Sequence, residues 1–117
     1  MIQIDYQDKR PLYEQVIEKI QNLIIRNALE TDTKLPSVRA LAIELSINPN
    51  TIQKAYAELE RMGFIYTVKG RGNFVAAKRI WMLNETNQVM GEIEKAVLQA
   101  KELGIAMEDV EESVKRI

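Results

Sequence analysis

Two helix-start signals stand so close together that the chain between them has little freedom. The first is Leu35-Pro36-Ser37. Pro36 keeps the residue before it out of the helical region, and Ser37 can accept from the exposed N–H groups of a new helix. The second is Ile47-Asn48-Pro49-Asn50-Thr51, where Asn48 is a good N-cap and Pro49 a good first helical residue. The helix between them is short, with Val38, Leu41, Ala42 and Leu45 as its buried stripe and an end near Ser46. The next helix runs to about Met62 and is ended by Gly63. Its core face is Ile52, Ala55, Tyr56 and Leu59; its other face carries Asn50, Gln53, Lys54, Ala57 and Arg61. Two short helices joined this tightly form a helix-turn-helix.

The flanking stretches supply a frame for that pair. Upstream, Pro11 can start a helix that reaches about Ala28, with Leu12, Val16, Ile20, Leu23 and Ile24 on one face. Residues 2–6 alternate apolar and polar, as a short strand or an extended arm would, and residues 30–34 read as a polar loop. Downstream, Phe64 to Val68 and Phe74-Val75 are β-branched and aromatic and enclose Lys69-Gly70-Arg71-Gly72-Asn73. This pattern predicts a β-hairpin, the wing of a winged helix-turn-helix.

A fourth helix is expected from about Ile80 to Leu103, with Met90, Ile93, Val97 and Ala100 on one side. Gly104 breaks it, and Met107, Val110, Val114 and Ile117 recur at helical spacing in a short fifth helix. Ala106 stands where a capping Ser or Asp would serve better. Trp81, Met82 and Leu83, and likewise Met90 and Met107, read as core or interface. The fold class is mainly α with a small β-hairpin: a winged helix-turn-helix over residues 1–77 and a two-helix tail over residues 78–117.

The composition removes most other functions. A chain of 117 residues fits one main core with a small appendage. Cysteine and histidine are both absent, so there is no thiolate chemistry, no usual general base and no common metal ligand. Ser37, Ser46 and Ser113 have no histidine to activate them, and the carboxylates of the tail lie on helices that look solvated. We therefore expect no enzyme, no metal and no cofactor. No apolar run approaches the roughly 20 residues needed to span a bilayer. The first residues lack the basic-then-apolar plan of a signal peptide. No membrane partner is expected, and the expected location is the cytoplasm.

The formal net charge is −1, yet charge is unevenly spread. Between Lys34 and Gly72 six cations (Lys34, Arg39, Lys54, Arg61, Lys69, Arg71) face three anions (Glu44, Glu58, Glu60), whereas the tail is acidic. Asn50, Gln53 and Lys54, at the start of the third helix, can hydrogen-bond base edges or phosphates. Arg39, just past the Ser37 cap, could reach a flanking phosphate. Lys69 and Arg71 sit beside Gly70 at a hairpin tip that could approach a minor groove. A polar outer face is the rule for any surface helix; the tight helix pair before it favours a nucleic-acid role. A module that binds protein through the same face, without DNA, is the alternative. The wing glycines lack the spacing and terminal Lys-Ser/Thr of a phosphate-binding loop.

Leu35-Pro36-Ser37-Val38-Arg39, Asn48-Pro49-Asn50-Thr51-Ile52 and Gly70-Arg71-Gly72-Asn73-Phe74-Val75 resemble the GntR family of bacterial transcription regulators. Ala55-Tyr56-x-Glu58-Leu59-Glu60-x-x-Gly63 stands between the second and third pieces, and the match covers roughly Pro11 to Val75. A short helical tail after the wing is similar to the YtrA-type subfamily, in which the tail is a dimerisation unit and the regulators often control transporter operons. The resemblance implies a homodimer on double-stranded DNA. It implies DNA contacts at Ser37, Arg39, Asn48, Asn50, Thr51, Gln53, Lys54, Lys69, Gly70 and Arg71. Gln53 stands where many relatives outside this subfamily have arginine. The dimer interface is expected at Met90, Ile93, Val97, Ala100, Met107, Val110 and Val114. A small-molecule effector is an open question, since no residue cluster marks its site.

Overall fold

The computed structural model describes residues 1–117 as two compact units, Met1–Met82 and Leu83–Ile117. The first holds α1 (Leu12–Ile25), α2 (Val38–Leu45), α3 (Pro49–Arg61), β1 (Ile65–Val68) and β2 (Gly72–Val75). It also takes in the start of α4 (Lys78–Glu102), the rest of which belongs to the second unit with α5 (Met107–Arg116). Trp81, at the end of the first unit, is buried and stacks on Phe64, ring centroids 5.3 Å apart.

Both cap signals work as their chemistry requires. The Ser37 Oγ accepts from the Ala40 amide at 3.0 Å, and the Asn48 Oδ1 accepts from the Asn50 amide at 2.8 Å. Between them α2 ends on Ser46 in the left-handed region (φ 56°), and the Ile47 amide closes back on the Ala42 carbonyl. Ile47 is buried, so the turn is held from below as well as by its caps. The hydroxyl of Tyr56, on the third turn of α3, donates to the Pro36 carbonyl at 2.7 Å and ties α3 to the loop that starts α2. Burial holds this phenol well above its ordinary pKa, so it remains a donor.

The core is Val16, Ile20 and Ile24 of α1, Leu41 and Ala42 of α2, Ile52, Ala55, Tyr56 and Leu59 of α3, with Phe64, Ile65 and Val75 of the wing base. Leu12 and Leu23 are only half-buried, while Gln15 and Ile17 are buried in α1. The stripe is rotated because residues 1–5 cover that side of the helix. They form no strand; Ile2 packs into the core, the Met1 ammonium pairs with Glu44 at 2.9 Å, and the Gln15 side-chain amide holds Asp5. The Asp5 N–H donates to Gln15 Oε1 and the Gln15 Nε2 donates to the Asp5 carbonyl, both at 3.0 Å. Gln15, the buried polar side chain of the core, thus substitutes for a strand partner.

Other boundaries move for local reasons. The first helix stops at Ile25 rather than Ala28, since Asn27 turns left-handed (φ 59°) and the Ala28 and Leu29 amides both fold back on Leu23. The first wing strand starts one residue after Phe64, whose side chain is committed to the core. The second strand takes in Gly72 and Asn73, because Val68 pairs with Gly72 and Thr67 with Asn73. Residues 31–35 are not a free loop: Asp32 donates to Val75, Val75 to Thr33, and Leu35 to Asn73, at 2.8–3.0 Å. The wing therefore carries a third, short edge.

In the second unit, α4 and α5 are linked through Gly104. No side chain caps α5. Its first turn instead carries Glu108 and Asp109 and its last Lys115 and Arg116, charges placed to suit the helix dipole.

Tyr56→Phe is expected to lower stability by about 1 kcal/mol, because the Pro36 carbonyl loses its partner while the ring still fills the core. Urea denaturation measures this; an unchanged midpoint would mean that the Tyr56 bond does not hold the two helices.

Candidate nucleic-acid interface

The Ser37 and Asn48 caps hold the starts of α2 and α3 in one helix-turn-helix, with three residues in its turn, 46–48. Arg39 is exposed in the first turn of α2. Asn50, Gln53 and Lys54 are exposed on the first two turns of α3, and Thr51 is half-buried beside them. Opposite lie Ile52, Ala55, Tyr56 and Leu59, all buried. The polar groups are thus fixed by a rigid helix whose other face cannot rotate away from the core.

Partner assignments separate these side chains into three groups. Ser37 and Asn48 have committed their side-chain oxygens to the caps, which leaves the Ser37 hydroxyl proton and the Asn48 amide N–H groups to donate outward. The side chains of Arg39, Asn50, Gln53, Lys69 and Arg71 make no hydrogen bond or ion pair within the chain. Lys54 lies between these cases. Its Nζ sits 3.9 Å from the ring centroid of Tyr13 in α1, a cation–π contact that holds the ammonium near the root of α3. Arg61, the remaining cation of α3, is neutralised by Glu58: its Nε donates to both carboxylate oxygens at 3.0 Å. The same pair holds the Glu58 carboxyl below the usual carboxylate range.

The wing tip is a tight reversal. The Arg71 amide donates to the Val68 carbonyl at 2.9 Å across Gly70, whose φ of +78° a side chain would resist. A Cβ at Gly70 would touch nothing, so the constraint there is conformational. Lys69 and Arg71 are exposed on either side of it. On the outer face of the hairpin Tyr66 stacks on Phe74 at 5.6 Å, and the Tyr66 hydroxyl donates to Asp32 Oδ1 at 2.7 Å.

These positions offer hydrogen-bond donors, amide groups and cations, with no nucleophile–base pair among them. No group of three or more carboxylates is arranged to hold a metal ion. No helix is long and apolar enough to cross a membrane.

In the second unit, Met90 and Ile93 are about half exposed (51 % and 48 %) and Val114 is 64 % exposed. Val97, Ala100, Met107 and Val110 are half-buried. Leu83 and Met82 are exposed, unlike Trp81. Sequence reasoning missed Gln15, Tyr13 and the 31–35 edge. Tyr13 could have been found from its helical position, but the other two depend on backbone partners that no side-chain pattern announces.

Comparison with known proteins fits this geometry. The family model described as bacterial regulatory proteins, gntR family, matches residues 12–75. The HTH-type transcriptional repressor YtrA of Bacillus subtilis is 37% identical over 119 aligned residues, 100% of this chain and 92% of that protein. A GntR family transcriptional regulator structure from Listeria monocytogenes superposes with TM-score 0.66 at 37% identity, covering 97% of this chain and 99% of that one. A structure of the AraR DNA-binding domain in complex with operator ORE1 has TM-score 0.56 at 33% identity, over 62% of this chain and 89% of that one. The chain belongs to the GntR family of bacterial regulatory proteins, as a DNA-binding transcription regulator of the YtrA type.

Proposed function

We propose that this regulator is a repressor that reads a palindromic operator as a homodimer, through α3 in the major groove and the wing tip in the minor groove. The observation that carries this reading is the set of exposed side chains Arg39, Asn50, Gln53, Lys69 and Arg71, all without partners in the chain and held either on capped helices or on the tight turn between paired strands. Polar side chains that a fold positions but does not use are available to a ligand.

Asn50 and Gln53 have the amide pairs that match adenine, and Lys54 can serve guanine or phosphate. Ser37 and Thr51 offer hydroxyls at the two helix starts, with Asn48 beside them. Arg39 meets backbone phosphate, and Lys69 and Arg71 straddle Gly70 where close approach to the groove floor is needed.

One α3 reads only a few base pairs, so useful specificity needs a second copy. We assign residues 78–117 as the dimerisation unit beyond a DNA-binding region over residues 1–77. Met90, Ile93 and Val114 expose apolar surface there that a second copy would cover, continuous in sequence pattern with Val97, Ala100, Met107 and Val110. Burial of such side chains stabilises association at roughly 25 cal/mol per Å² of apolar area. The dimer would act in the cytoplasm, without catalysis, by occluding a promoter, and a transporter operon is the target class that the YtrA likeness favours.

Selection from fragmented bacterial genomic DNA at about 150 mM salt, where counterion release suppresses non-specific binding, tests the reading. We expect one enriched motif with two inverted halves, centred about one helical turn or a multiple apart. A failure to enrich any motif would favour a protein-binding module instead.

On the selected duplex, Arg39→Ala should weaken binding by the same factor for every base variant. Gln53→Ala should relax preference at one position per half-site, by about 1–3 kcal/mol. Fluorescence anisotropy on a panel of single-base variants separates the two, and equal, sequence-blind losses from both would contradict the assignment of Gln53 to base reading.

A further inference from the structure

Lys34 lies in the polar stretch before Leu35-Pro36-Ser37, yet the backbone on either side of it is bonded into the wing. Thr33 accepts from the Val75 amide and Leu35 donates to the Asn73 carbonyl, and Lys34 itself bridges Phe74 in antiparallel sense. Residues opposed across antiparallel strands present their side chains on one face, and alternate residues of a strand share a face. Lys34 therefore shares the outer face with Phe74 and with Gly72, two residues before it.

Gly72 is what gives the lysine its seat. A Cβ on Gly72 would lie 3.0 Å from Lys34 Cε and 3.8 Å from its Nζ, so the stem runs over the space that any other residue would fill. The φ of +128° at Gly72 also disfavours other residues there. Gly72 pairs with Val68, the residue immediately before the Lys69–Arg71 tip. The ammonium is thus delivered to the root of the tip. It is exposed and makes no hydrogen bond or ion pair in the chain. A lysine whose stem lies along the protein keeps its charged head in water, where a ligand can reach it.

We propose that Lys34 is a DNA-phosphate contact, the third cation of the wing beside Lys69 and Arg71, with Gly72 serving to seat it. This rests on the reading of the wing as a DNA-contacting element. The ligand group is phosphate rather than a base edge for two reasons. The Lys34 head lies at Gly72, on the strand just behind the tip that would enter the groove. A lysine ammonium is also a compact point charge, without the planar fork that reads bases. Such a contact adds affinity and orients the wing but carries no sequence information.

The test is the salt dependence of binding to a mixed-sequence DNA duplex and to the duplex recovered by genomic selection. Lys34→Met keeps the stem and removes the charge; Lys34→Arg keeps the charge. The expected result for Lys34→Met is a slope of log K against log salt that is shallower by about one on both duplexes, as for one lost phosphate contact. Lys34→Arg retains the wild-type slope, and thermal unfolding of both variants matches the wild type. An unchanged slope in Lys34→Met, with wild-type protein binding normally, overturns the role of Lys34 and leaves the reading of α3 and the wing intact. A wild-type protein that binds neither duplex at any salt overturns both.

Discussion

The buried face of α3, with the bond from the Tyr56 hydroxyl to the Pro36 carbonyl at its centre, fixes α3 against the loop that begins α2, and the rest of the interface depends on that seating. Without that bond the two helices would share only their side-chain contacts and the short 46–48 turn. With it, the start of α2 and the middle of α3 move as one body. Arg39 is then held at a set place relative to Asn50 and Gln53. The Pro36 carbonyl is available because proline has already turned the chain out of the preceding edge strand. One residue therefore ends the 31–35 pairing with the wing, positions the Ser37 cap and accepts from Tyr56.

The same economy governs charge. The cations between residues 34 and 72 outnumber the anions, but the fold does not leave all of them free. Arg61 is paired with Glu58, and Lys54 rests on the Tyr13 ring. Lys34, Arg39, Lys69 and Arg71 remain unpaired, and they lie on the edge strand beside the wing, at the first turn of α2 and on the two flanks of the wing tip. A chain with net charge −1 can in this way keep a local cationic surface while its tail stays acidic.

Much of the helix-turn-helix was legible because its signals are local. Ser37, Asn48 and Pro49 act within one turn of themselves, and apolar spacing fixes which face of α3 is buried. The hairpin was legible from Gly70 and Gly72 between β-branched runs. What stayed hidden is non-local and made of backbone. The polar residues 31–35 join the wing through main-chain bonds to Asn73 and Val75, which no side-chain pattern signals. The arm at residues 1–5 packs without a strand because Gln15, an ordinary polar residue in sequence, satisfies the Asp5 backbone from within the core. Trp81 lay near a composition change and read as core or interface; only its stack on Phe64 shows that it belongs to the first unit. The side chains expected to touch DNA were legible as exposed and polar, but the division between those that cap, those that pair and those that stay free needed coordinates.

A reader with one capped α3 and one wing gains specificity only if the tail joins two copies. Sedimentation equilibrium of the protein with the selected palindromic duplex tests this most directly, run beside Ile93→Glu, which places a charge in the apolar surface of α4. The account predicts two protein chains per duplex and a dimer in the free protein, with Ile93→Glu sedimenting as a monomer and losing affinity for the full site. A wild-type monomer that binds the duplex one to one, with Ile93→Glu equally tight, would contradict it.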